Sequence, residues 1–254
     1  MSIYQITFSP TGGTKKVSDV FTKAFRHDSI QIDLMNTTVD FSSYRFKADD
    51  ICIFAVPSYG GRVPEIAISR LNQMWGEHSK AILISTYGNR AYEDTLLELK
   101  ETLGKCGFSC IAAIAAVSEH SIMHQFGTGR PDESDCNELT SFSEKIQHKI
   151  KEGNTSNNIV VPGKHPYRDY KGVPFKPKAG KACIKCGICA TKCPVSAIPM
   201  NNPSKTNESV CISCMRCIVV CPYNARNINR LILTIAAQKM RKHCRTYKKN
   251  EIFL

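Results

Sequence analysis

Residues 183–194 read CIKCGICATKCP, and residues 211–222 read CISCMRCIVVCP. Each stretch places four cysteines in the pattern C-x2-C-x2-C-x3-C and follows the last one with proline. Eight of the chain's 13 cysteines fall in these two runs. An odd total argues against a simple secreted disulfide framework. The repeat therefore indicates a compact module built on metal ligation.

This spacing is typical of two 4Fe–4S clusters that exchange their fourth ligand. Three cysteines at steps of three wrap a short loop around one cubane, and the fourth lies far enough along the chain to reach the other. Cluster one is expected to take Cys183, Cys186, Cys189 and Cys221, and cluster two Cys211, Cys214, Cys217 and Cys193.

A pair of zinc sites is the alternative, because C-x2-C also suits zinc. Four ligands complete a zinc site, however, so the third cysteine in each loop would have no use. In all eight ligand positions the stretch resembles bacterial-type two-cluster ferredoxins.

The first 150 residues alternate between strand-like and helix-like patterns. Strands are predicted at residues 2–8, 29–34, 51–56, 81–86 and 111–117, and helices at about residues 13–25, 63–75, 92–105 and 135–151. Apolar runs of this kind are typical of parallel strands buried on both faces. Their alternation with helices predicts right-handed βαβ units and a doubly wound, five-stranded parallel sheet.

The segment Phe8–Thr14 reads FSPTGGT and joins the first strand to the first helix. Hydroxyls of Ser9, Thr11 and Thr14, with amides freed by Gly12 and Gly13, can surround a phosphate at a helix start. Neither a Walker lysine nor a G-x-G-x-x-G pattern occurs there, so ATP and NAD are poorly supported. An ordinary capped helix start is the alternative.

Two further loops follow strands at the sheet edge where doubly wound folds bind ligands. Residues 57–61 read PSYGG, and residues 86–92 read TYGNRAY. Together with Phe8–Thr14 they resemble flavodoxin, with Ser9 in place of the more usual threonine. The resemblance implies FMN, with Tyr59 and Tyr92 flanking the flavin and Gly88–Asn89 meeting its pyrimidine edge. The full predicted FMN set is Ser9, Thr11, Gly12, Gly13, Thr14, Pro57, Ser58, Tyr59, Gly60, Gly61, Thr86, Tyr87, Gly88, Asn89 and Tyr92.

The combined pattern resembles the flavodoxin–ferredoxin fusion proteins of anaerobes. The expected organisation is a flavodoxin-like domain over 1–152, an extended linker over 153–182, a two-cluster α+β ferredoxin module over 183–227 and a basic C-terminal helix over 228–254. The resemblance implies an electron-transfer protein that relays electrons between FMN and two clusters. Two alternatives stay open: a flavin-dependent oxidoreductase that reduces a small acceptor, and a basic interaction protein with structural clusters.

Charge is distributed unevenly along the chain. Residues 1–150 hold 15 Lys/Arg and 18 Asp/Glu, whereas residues 151–254 hold 19 and 4. Redox partner proteins are expected. A solvated helix face is the first interpretation of the basic tail, docking to an acidic protein the second, and nucleic acid the third because the tail lacks interleaved aromatic residues. The sequence leaves the oligomeric state open, a dimer included.

Two weaker expectations concern chemistry and location. His120 and His124 follow the last predicted strand and are weak catalytic candidates at the flavin pocket. A hydrogen-bonded loop histidine is the more ordinary interpretation of either. The opening residues show no signal-peptide pattern and the chain has no long apolar run, so a cytoplasmic protein without a membrane span is expected.

Overall fold

The computed structural model describes residues 1–25 and 28–254. Its strands are β1 (Ile3–Thr7), β2 (Ser29–Asp33), β3 (Ile51–Pro57), β4 (Lys80–Tyr87), β5 (Ser109–Val117), β6 (Lys178–Ala179), β7 (Arg226–Asn227) and β8 (Glu251–Phe253). Its α-helices are α1 (Gly13–Lys23), α2 (Glu65–Leu71), α3 (Thr95–Lys105), α4 (Glu133–Lys151), α5 (Ile188–Thr191), α6 (Arg216–Val219) and α7 (Arg230–Cys244). The predicted strands and helices of the first 150 residues are confirmed.

The main sheet has the strand order β2-β1-β3-β4-β5-β8. Its first five strands are parallel, which is the flavodoxin-like order with a switch point between β1 and β3. Strands β3 and β5 are buried along nearly their whole length, as their unbroken apolar runs predict. Two apolar cores result, one on each face of the sheet. The predicted flavodoxin-like α/β fold is confirmed.

The sixth strand was not predicted. β8 pairs antiparallel with β5, with Ile114 opposite Ile252. Next to it, the buried Asn250 accepts a 2.8 Å hydrogen bond from the Val117 amide and donates to Asp135 and Glu138. The C-terminal helix therefore ends at Cys244 instead of running to residue 254, and the chain returns to the sheet. Three residues after a basic run are too short to show a strand periodicity.

The segment between α4 and β6 is irregular but follows the surface of the sheet domain. Ile159 and Val161 are buried in its core, and the Lys100 ammonium donates to the Ile159 carbonyl. Further along, both carboxylate oxygens of Asp94 accept from amides of this segment, at Lys164 and Arg168. These contacts give the segment a fixed path from the sheet domain to the cysteine module.

The cysteine module is small, and it packs against the rest of the chain. The two short strands β6 and β7 pair antiparallel, while α5 and α6 each begin after the first two cysteines of one run and contain the third. An apolar cluster joins α7 and Met215 of the module to Met123 and Phe126 of the sheet domain. None of the helices in the described ranges is both long enough and apolar enough to cross a membrane.

Candidate functional site: two cysteine cavities beside a cleft at the sheet edge

Two cavities lie inside the cysteine module, each with about 330 Å³ of space, part of it open to solvent. The first is lined by Cys183, Cys186, Cys189 and Cys221. The second is lined by Cys193, Cys211, Cys214 and Cys217. Each cavity thus receives three cysteines from one run and the fourth from the other, the crosswise grouping that the spacing predicts.

The cysteines surround each cavity without converging on a point. In the described residues, no three His, Cys, Asp or Glu side chains come close enough to hold a single metal ion. A zinc site needs four ligands about 2.0–2.3 Å from one centre. Four thiols spread around a cavity suit a multi-atom cluster, so the arrangement fits two 4Fe–4S cubanes better than two zinc ions.

The internal repeat is visible in the hydrogen bonds to sulfur. Sγ of Cys193 accepts from the Ala197 amide at 3.3 Å, and Sγ of Cys221 accepts from the Ala225 amide at the same distance. Amide hydrogen bonds of this kind stabilise a thiolate. In Cys221 they outweigh the effect of burial and lower the pKa of the thiol.

The second cavity is the more deeply buried of the two. Burial, reinforced by the neighbouring thiols, raises the pKa of Cys214 to about 12, and burial raises that of Cys217 to about 11. Ionised thiols packed together there need a positive charge to offset them. An iron–sulfur core supplies that charge, so the chemistry of the donor set fits the cluster.

A third cavity, of about 440 Å³, opens at the carboxyl edge of β1, β3, β4 and β5. Its wall contains ten residues from the three loops that resemble flavodoxin: Pro10, Thr11, Gly13, Thr14, Pro57, Ser58, Tyr59, Thr86, Tyr87 and Gly88. The hydroxyls of Thr14 and Thr86 form a hydrogen bond of 2.7 Å, and the Ser9 hydroxyl accepts a hydrogen bond from the Lys15 amide at 2.8 Å. Gly12 adopts φ +93°, which a side chain rarely tolerates. The loop Phe8–Thr14 is thus shaped around an open site at the start of α1.

Six of the predicted FMN residues lie outside this wall. The ring of Tyr92 packs 5.2 Å from Tyr87 and its hydroxyl lies beside Glu251 of β8. Asn89 donates to the Cys244 and Thr246 carbonyls. Three glycines, Gly12, Gly60 and Gly61, also lie outside the wall. Gly60 contacts the Tyr170 ring, and Gly61 contacts the Glu93 side chain. Ser9 is likewise absent from the wall and acts through its hydrogen bond to Lys15.

The two candidate histidines have different surroundings. His120 lines the third cavity, and its ring lies where a Cβ of Gly88 would be. Its Nδ1 accepts from the Ile122 and Met123 amides at 3.1 and 3.2 Å. Burial lowers its pKa to about 4, so at neutral pH the single proton is on Nε2. His124 is exposed and pairs with Glu119 at 2.7 Å, away from the cavity wall.

Tyr59 connects the third cavity with the second cysteine cavity. It lines the former, and burial together with the nearby Cys214 and Tyr170 raises the pKa of its phenol well above the usual value. A second link lies close by: Nη1 of Arg216, which lines the second cysteine cavity, donates to the Pro10 carbonyl of the Phe8–Thr14 loop at 3.2 Å. The walls of the two cavities are therefore in direct contact.

Sequence reasoning missed three residues at these sites. Arg226 is buried and donates to Cys189, Arg216 joins the two cavities, and Tyr170 covers Gly60. An arginine five residues after the last cysteine is a weak signal for the first. Nothing in the sequence pairs residues as far apart as Arg216 and Pro10.

Comparison with known proteins locates one part of the chain. Residues 182–225 match the family model of the 4Fe-4S dicluster domain. No curated protein matches. Solved structures similar to this one include a flavodoxin of Streptococcus pneumonia TIGR4 (21% identity, 58% of this chain, 99% of that one, TM-score 0.43) and flavodoxin 2 of Bacillus cereus (15%, 59%, 99%, 0.44). An NADH:FMN oxidoreductase is also similar (16%, 58%, 89%, 0.42). The fold assignment rests on the strand order, and the clusters rest on the family match and the cysteine geometry.

Proposed function

We propose that this chain, a flavodoxin-like sheet joined to a 4Fe–4S dicluster domain, transfers electrons between its two clusters and an FMN held at the carboxyl edge of the sheet. The observation that carries the proposal is the position of Tyr59. It lines the sheet-edge cavity and lies near enough to Cys214 of the second cysteine cavity for the charge of that thiol to act on its phenol, while Arg216 of the second cavity hydrogen-bonds to Pro10 of the first. The two cofactor sites are thus adjacent, as fast intramolecular electron transfer requires.

The cluster ligands follow from the two cysteine cavities. Cluster one is assigned Cys183, Cys186, Cys189 and Cys221, and cluster two Cys193, Cys211, Cys214 and Cys217. Cys186 is exposed and Cys214 is only 8% exposed. Cluster one therefore faces external redox partners, and cluster two connects it to the sheet domain.

The sheet-edge cavity supports FMN by its place and its polar groups. It lies at the switch point between β1 and β3, where this class of sheet binds its ligand. Thr11, Gly13 and the start of α1 are assigned to the phosphate, because free amides and the helix dipole favour an anion there. Tyr59 and Gly88 are assigned to the ring. Bound FMN would supply a carrier of one or two electrons beside one-electron clusters.

A flavin-dependent oxidoreductase acting on a small acceptor is the second candidate. His120 favours it, because a neutral imidazole with its proton on Nε2 lines the same cavity. Such a group can donate a hydrogen bond to whatever occupies the site. Steady turnover of a defined organic acceptor would separate this candidate from a pure carrier.

Flash reduction of the anaerobic, fully loaded protein tests the relay. Electrons that arrive at one centre should equilibrate with the other at a rate independent of protein concentration. Tyr59→Phe should keep that rate, because the ring remains, whereas Tyr59→Ala should slow it. Tyr247→Ala is the matched control, since Tyr247 is exposed and lines none of the three cavities. Exchange that scales with protein concentration would contradict the intramolecular relay.

A further inference from the structure

A large groove lies between α7 and the loop over residues 125–132, outside the three cavities described above. Its volume is about 1900 Å³, part of it open to solvent. Phe126, Leu233 and Ala237 provide apolar surface, and Asn89 lies in its wall near the end of α7. The proposed electron relay uses none of this space.

Three of the four arginines that line the groove have no partner in the described chain. Arg230, Arg241 and Arg245 all lie on its wall, and none has an ion pair or side-chain hydrogen bond within the described chain. Arg241 and Arg245 are one helical turn apart and can act on the same ligand group. Arg230 lies about 16 Å from Arg241 along the helix axis, from the rise of 1.5 Å per residue. A ligand that engages all three is elongated.

The other charged groups of the groove are already paired. Arg130 binds Asp135 and lies 4.5 Å above the Tyr247 ring. Asp132, the one acid on the wall, accepts from the Asp135 amide as a helix cap. The net field in the groove is therefore positive, and arginine forks match phosphate oxygens better than lysine does.

Asn89 adds an independent indication at the Arg241–Arg245 end. Its side-chain nitrogen donates to the Cys244 and Thr246 carbonyls, which fixes the amide orientation. Its Oδ1 is buried and has no hydrogen-bond partner in the described chain. A buried amide oxygen without a partner costs about 1–3 kcal/mol, so a donor on a ligand would relieve it.

We infer that this groove binds a ligand that contains a nucleoside diphosphate. Arg241 and Arg245 hold the diphosphate, the apolar and aromatic wall accepts the flat base, and Asn89 Oδ1 accepts from an N–H of the ligand. Gly88 of the sheet-edge cavity directly precedes Asn89, so the groove reaches the back of the proposed flavin site. The inference concerns binding only and does not depend on the relay.

Calorimetric titration of the fully loaded, oxidised chain tests this site with four probes: NADP⁺, coenzyme A, ADP and pyrophosphate. The first three share a nucleoside diphosphate. Comparing the affinities for NADP⁺ and coenzyme A shows which of these two larger ligands the groove prefers. At least one of the three should bind, and more tightly than pyrophosphate. Arg241→Glu should weaken it at least about tenfold, as expected for loss of one charged hydrogen-bonding partner.

Lys239→Glu is the matched control, because it reverses one charge on the same helix outside the groove wall. It should change affinity less than about twofold, in line with a screened surface charge. If both variants weaken nucleotide binding equally, the groove is part of a diffuse basic surface and the site is overturned. The same holds if single-stranded DNA binds and both variants weaken its binding equally. Absence of binding by all three nucleotides, or equal affinity for pyrophosphate, would overturn it as well.

Discussion

Nε of Arg226 donates a 3.2 Å hydrogen bond to Sγ of Cys189, and the same guanidinium partly offsets the rise in pKa that burial causes at Cys217 in the other cysteine cavity. Its remaining nitrogens donate to the carbonyls of Pro177, Pro203 and Lys205 and to the Thr206 hydroxyl. The side chain is only 2% exposed. One buried, fixed positive charge therefore acts on both proposed clusters.

Replacing Arg226 should lower the cluster midpoint potentials. Arg226→Met removes a positive charge that favours the reduced, more negative state, and the shift should be on the order of 100 mV at an effective dielectric constant near 20. Arg226→Lys keeps the charge and should shift less. Redox titration followed by electron paramagnetic resonance measures both. Lys181→Met, at an exposed lysine, is the control, and an equal shift there would contradict a specific role for Arg226.

The phosphate assignment predicts that FMN binds much more tightly than riboflavin. Thr11→Glu places a negative charge where the phosphate is expected and should abolish that preference, because like charges repel at short range. Thr38→Glu adds the same charge at an exposed position and should leave the preference intact. Fluorescence titration of flavin-free protein measures both affinities. Equal affinity of the unmodified chain for FMN and riboflavin would refute the assignment.

Gly60→Ala should disturb the packing of the connecting segment on the sheet domain. Gly60 has φ +61°, and an added Cβ would lie 2.1 Å from the Tyr170 ring. Gly172→Ala is the control, since Gly172 has φ +82° with open space around it. The control carries only the backbone strain of about 1 kcal/mol. The Gly60 variant should cost more, and Tyr170→Ala should remove the excess. The test is thermal unfolding of the unmodified chain, Gly60→Ala, Tyr170→Ala, their double variant and the Gly172→Ala control. The prediction fails if Gly60→Ala and Gly172→Ala are equivalent.

His120 should make the sheet domain less stable in mild acid. Its folded-state pKa of about 4 lies below the unfolded value near 6.5, so the unfolded chain binds the proton first as the pH falls. Stability is therefore full above about pH 6.5 and declines towards pH 4, by up to about 3 kcal/mol. His120→Asn should flatten this decline in the free energy of unfolding. His124→Asn should not, and an unchanged profile in the His120 variant would contradict the lowered pKa of His120.

The parts of this structure that could be predicted share a local signal. Buried parallel strands show unbroken apolar runs such as Ile51–Val56, and cluster cysteines show a fixed spacing. The position of Tyr92 could not be predicted, because Glu251 lies beside it only after the chain has returned to β5. The hydrogen bond from Arg216 to Pro10 has the same origin. It depends on how two folded parts dock, and docking surfaces have no period along the chain.

The pairing of β8 with β5 changes what kind of attachment the cysteine module has. Because the chain leaves the sheet domain after α4 and returns to it at β8, the module is an insertion attached at both ends and not a domain attached through a single linker. One proteolytic cut between residues 153 and 177 would leave the second attachment, through α7 and β8, in place. A nicked protein should therefore migrate as a single particle under native conditions and retain its electron transfer. Separating the two redox parts takes two cuts, one on each side of the module.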